Sequence, residues 1–111
     1  MHRITEQNLL GLVGIINKMT GSPPEPWTTD ADGKHHANVG NYHQEGAYGG
    51  KRLGRMCTDG GGVTDVFECG FTTKRDLYER MRAFMLGFRS CIQSIEEAQA
   101  KNEGATDDGT G

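Results

Sequence analysis

Between Asn38 and Phe67 the chain carries its densest set of groups able to hold a ligand. Asn41, His43 and Tyr48 offer hydrogen bonds, Tyr42 and Tyr48 offer faces for stacking, and Lys51, Arg52 and Arg55 bring positive charge. Gly49-Gly50 let backbone amides come close to whatever binds there. Consecutive amides in a glycine turn form an anion-binding concavity, and a guanidinium grips a phosphate through two parallel bonds. Lys74 and Arg75 stand where a second helix should begin, and the free amides of a helix start also favour anions. Asn41, Tyr42, His43, Tyr48, Gly49, Gly50, Arg52, Arg55, Lys74 and Arg75 therefore form the predicted binding set. The ligand they suit is a nucleotide-like anionic small molecule. If the stretch is a docking surface instead, its partner is another protein.

No catalytic set is complete. Cys57, His43 and Asn41 are the nearest thing to an activated nucleophile, but a lone cysteine in an alternating strand is usually a small core residue. There is no G-x-S-x-G elbow, no P-loop and no paired carboxylates at useful spacing. His35, His36, His43, Cys57 and Cys69 are zinc-type donors without a C-x-x-C pair, and adjacent histidines in a strand point to opposite faces. The sequence thus favours a binding role over an enzyme and predicts neither cofactor nor metal.

Composition narrows the partners. The 111 residues suffice for one modest core, and nine of the 17 glycines fall between Gly40 and Gly70, which marks tight turns rather than low complexity. Net charge is −3, yet residues from Glu96 onward carry −4, which leaves residues 1–95 at +1. A near-neutral body argues against strong nonspecific DNA binding, which needs many phosphate contacts. No apolar run is long enough to span a membrane. Three widely spaced cysteines and no signal-peptide pattern predict a cytoplasmic protein with reduced thiols.

The elements that must position these groups follow from periodicity. Thr5 caps a first helix whose apolar face is Leu9, Leu12, Val13, Ile16 and Met19, with Gly21 and Pro23 as the stop. Gly11 and Gly14 lie inside it and imply either a close contact or a cost carried by packing. Strands are expected over 25–30, from Lys34, over 51–57 and over 63–69, joined by the Asp32-Gly33 and glycine-rich turns. Thr73 with Asp76 predicts a capping box for a last helix that carries Leu77, Met81, Phe84, Met85, Phe88, Ile92 and Ile95 at steps of three and four. The result is an α+β domain over residues 1–98: a helix, a three- or four-stranded antiparallel sheet and a long C-terminal helix. Residues 99–111 read as a disordered acidic tail. The thin core predicts a homo-oligomer.

Thr20 to Pro23 (TGSP), Gly40 to His43 (GNYH), Ala47 to Gly50 (AYGG), Leu53 to Met56 (L-x-R-M), Gly60 to Val63 (GGGV) and Lys74 to Tyr78 (K-R-x-L-Y) resemble a pattern in small accessory proteins of tailed bacteriophages and prophages. The likeness covers roughly residues 4–88. It implies a context rather than a mechanism: the bacterial cytoplasm, and a counter-defence role. Such a role would be sequestering a host nucleotide immune signal, blocking a host defence complex such as a CRISPR effector, or acting on nucleic acid. The helix–strands–helix order also resembles the double-stranded RNA-binding domain, whose last helix opens with a basic cluster on phosphates. Here only Lys74-Arg75 stands at that place, followed at once by Asp76.

Overall fold

The computed structural model describes residues 3–110, with side chains through Asn102. The chain runs α1 (Glu6–Thr20), β1 (Trp27–Thr29), β2 (His35–Ala37), β3 (Tyr42–Ala47), β4 (Gly50–Met56), β5 (Val63–Asp65) and α2 (Lys74–Thr110). This is the α+β order read from the sequence, but the strands differ: five are described instead of three or four, the strand expected from Lys34 ends at Ala37, and Tyr42–Ala47 forms a strand of its own. The strands divide into a separate β1–β2 hairpin and a three-stranded antiparallel sheet in the order β3-β4-β5.

α1 begins where Thr5 can cap it. The Thr5 hydroxyl accepts the Asn8 N–H and the Asn8 side chain accepts the Thr5 N–H, so Asn8 closes a capping box. The helix ends at Gly21 in the left-handed conformation. Its buried face, Leu9, Val13 and Ile16, meets Leu53 of β4 and Leu77 and Met81 of α2 in the main core cluster of the described residues, and Ala37 and Met56 are buried as well. A Cβ added at Gly11 or Gly14 would meet nothing within 4 Å, so neither glycine serves a close contact in the described chain.

β5 stops earlier than periodicity suggests. After Asp65 the Glu68 N–H bonds back to the Asp65 carbonyl, and the Asp65 carboxylate accepts the Gly70 N–H at 2.8 Å. The resulting turn sends Val66 and Phe67 against the core instead of along the strand. The chain then returns to β4: Lys51 and Thr72 exchange both backbone bonds, at 2.7 and 2.8 Å. That single bridge fixes where α2 starts.

At the start of α2 the Asp76 N–H donates to Thr73 Oγ1 at 3.0 Å, as the capping pattern requires. The Asp76 carboxylate does not reach back to Thr73. It accepts from Arg80 Nε at 2.7 Å and Thr72 Oγ1 at 2.9 Å, and these bonds, Arg80 first, hold it below the usual carboxylate range. A depressed folded pKa gives stability that is fully present above the ordinary aspartate range and is lost as pH falls through the folded value. Melting temperature should therefore drop on acidification below about pH 4, and less steeply in Asp76→Asn. Parallel curves for the two proteins would show that the capping carboxylate carries no such linkage.

α2 outlasts the body it packs on. Its 37 residues span about 55 Å, and every residue from Arg89 through Asn102 is exposed. The radius of gyration is 18.3 Å, against about 13 Å for a compact chain near this length. The backbone is helical as far as Thr110, through the segment that composition reads as a tail; side chains from 103 onward and Gly111 lie outside the described residues.

Candidate functional site at the hairpin turn

β3 and β4 pair from Tyr42↔Arg55 to Ala47↔Gly50, which leaves Tyr48-Gly49 as a two-residue turn. Both turn residues have positive φ, 52° and 75°, the geometry of the primed turn that matches strand twist. Asn-Gly is the usual occupant of such a turn. Tyr48 takes the first place here, 97% exposed, with an edge-on contact to Phe71 at 5.8 Å between centroids.

Strand alternation sorts the predicted residues onto two faces. On the face away from the helices a line of contacts runs from the interior to the turn. Asn41 is fully buried and its amide nitrogen donates to the Pro23 carbonyl. Its oxygen, an acceptor only, lies 3.1 Å from His43 Nδ1, which therefore carries the proton. His43 Nε2 lies 3.8 Å from Glu45, Glu45 accepts from Arg52 Nε at 2.8 Å, and the Arg52 guanidinium stands 4.5 Å over the Phe71 ring beside Tyr48. Arg52 is thus an anchored charge rather than a solvated one.

The other face carries Tyr42, Lys51 and Arg55. Tyr42 packs on Phe84 at 5.8 Å and holds the sheet to the core, and Arg55 lies 5.7 Å from the Tyr42 ring. Five residue steps separate Arg55 from Gly50, about 17 Å along the strand. Arg75 turns outward to Glu79, 3.9 Å away.

The structure thus brings Tyr48, Gly49, Gly50, Arg52 and Lys74 to one end of the hairpin. It places Asn41 and Tyr42 in the framework, links His43 to the site through Glu45, and leaves Arg55 and Arg75 outside it. Gly46, Ala47, Gly49, Gly50, Lys51 and Lys74 line an open concavity of 390 Å³ between the turn and the start of α2. Lys51 also pairs with Glu6, whose carboxyl it holds below the usual range, with a smaller contribution from Lys74.

No known family, curated protein or solved structure matches the chain. Phe71 and Glu45 were not among the predicted residues, and nothing local in the sequence marks Phe71, since it precedes the helix cap in an irregular segment. Among the described residues no group of three or more histidine, cysteine or acidic side chains could hold a metal ion, and the three cysteines are unbonded thiols. No described helix is long and apolar enough to cross a membrane.

Proposed function

We propose that this protein is a non-catalytic binder of a phosphate-bearing ligand, held at the Ala47–Gly50 turn. Lys51 and Lys74 take the anion from two sides, the turn amides approach it, and Tyr48 offers a ring for a base or other flat group. The observation that carries this reading is Tyr48. A large side chain that buries almost nothing occupies a backbone conformation costing about 1 kcal/mol or more for a non-glycine residue. Within the described residues its ring meets the edge of Phe71 and is otherwise exposed, so contact with a ligand is the use assigned to it. With the phage-like motifs, the role that fits is counter-defence by sequestering a host nucleotide signal in the bacterial cytoplasm.

Tyr48→Asn separates binding from folding. Asparagine suits a primed turn better than tyrosine does, so Tm should hold or rise. Affinity for the nucleotide that binds wild type, found by thermal shift with linear and cyclic nucleotides and ADP-ribose, should fall about tenfold, the worth of one stacked ring. A ligand at 100 times its Kd adds about 2.7 kcal/mol to wild-type stability, which the shift resolves easily. A Tyr48→Asn protein that binds as wild type does, or a panel that shifts nothing, overturns the reading; the second result would make the turn a docking surface for a host protein.

A further inference from the structure

The core-facing stripe of α2 does not stop where the body stops. Leu77 and Met81 are buried, Phe84 and Met85 pack at the margin of the core, and Phe88 stacks on Phe84. Ile92 and Ile95 continue the same line at 40% and 47% exposure. α1 reaches only as far as Met19, which shares a 350 Å³ groove with Phe88, Arg89, Ile92 and Glu96. From Arg89 through Asn102 every residue of α2 is exposed, and a bare helical arm of this length with serine and isoleucine in it is not self-supporting in water.

The spacing and charge of the stripe say what covers it. Tyr78, Met81, Met85, Phe88, Ile92 and Ile95 alternate steps of three and four, the seam of a coiled coil, and the line ends in polar Gln99 and Asn102. One flank of the seam carries Arg82, Arg89 and Glu96. The other carries Phe84, Cys91 and Ala98, with no charge at all. Parallel helices would set the charged flank against the uncharged one. Antiparallel helices set the charged flank against itself, with arginine toward one end and glutamate toward the other, so the flank is self-complementary. Neither Arg89 nor Glu96 has an ion-pair partner among the described residues.

We propose that a second copy of this chain covers the stripe, α2 packing antiparallel on α2 across Ile92 and Ile95, with Arg89 of each copy beside Glu96 of the other. The interface lies at the far end of α2 from the Ala47–Gly50 turn, so its failure would leave ligand binding there untouched.

Sedimentation of the full-length protein tests this. Wild type should be dimeric at tens of micromolar, and Ile92→Glu with Ile95→Glu should be monomeric with its far-ultraviolet spectrum retained. Arg89→Glu alone and Glu96→Arg alone each set like charges together twice, and each should weaken self-association about tenfold. An equimolar mixture of these two variants restores both opposite-charge contacts in the heterodimer and should recover wild-type affinity, which a parallel pair would not do. A monomeric wild type, a dimer that survives the two glutamates, or a mixture no tighter than its components overturns the proposal.

Discussion

Replacing Asn17 with alanine should cost about 2–4 kcal/mol of stability, and the damage should begin at Tyr42. Asn17 lies on α1 at 3% exposure, and its side chain does the work of a missing strand. Its amide nitrogen donates to the Tyr42 carbonyl and its oxygen accepts the Tyr42 N–H, each at 2.8 Å. β3 is the outer strand of its sheet, so these two backbone groups have no strand neighbour to pair with. Alanine removes both partners at once and leaves a donor and an acceptor unsatisfied beneath α1, each at about 1–3 kcal/mol before any relaxation. Melting temperature should fall by roughly 10 °C or more, and the Tyr42 amide should exchange faster before the core amides do. A drop under about 3 °C, with Tyr42 still protected, would show that water replaces the side chain without loss.

Asn17 also shows where reading the sequence stops. The apolar face of α1 was legible because Leu9, Val13 and Ile16 recur at helical spacing and nothing else explains them. A polar residue next to that face looks like any solvated position, and its partner lies 25 residues away. The last helix was legible for the same reason as the first, since its stripe is long and its cap local. The geometry of the candidate site was legible in part. Arg52 and Arg55 look like one basic cluster along the chain, yet three steps along a strand end on opposite faces, and the pleat sends Arg52 to Phe71 and Arg55 to Tyr42. Lys74 reaches the turn for a reason no local pattern contains. The Lys51–Thr72 bridge brings the start of α2 there, and Thr72 belongs to a segment with no strand signature. Nor does alternation reveal that β1 and β2 stand apart. Gly40, at φ 97°, turns the chain between them and the main sheet, and the Gly40 N–H bonds to the Met56 carbonyl instead of extending the hairpin.

Gly50→Ala should strike stability and ligand binding together. A Cβ at this position would stand 3.0 Å from the Thr72 carbonyl oxygen and 3.1 Å from both the carbonyl carbon and Cβ of Phe71. These are mostly backbone atoms, and the two hydrogen bonds between Lys51 and Thr72 hold them, so no side chain can swing aside to make room. The strain has to be released by parting β4 from the entry to α2, at about 1–3 kcal/mol. That movement takes Lys74 away from Lys51 and widens the concavity in which the anion is proposed to sit. Gly49→Ala is the matched control. Its Cβ would meet nothing within 4 Å, but its φ of 75° disfavours any side chain, so it should lose about 1 kcal/mol while the wall beside Lys74 stays in place. Amide exchange at Lys51 and Thr72 should quicken in Gly50→Ala and stay slow in Gly49→Ala, and nucleotide affinity should fall further in the first than in the second. Equal loss of affinity in both variants, with the Lys51 and Thr72 amides equally protected, would mean that the turn alone makes the site and the start of α2 contributes nothing to it.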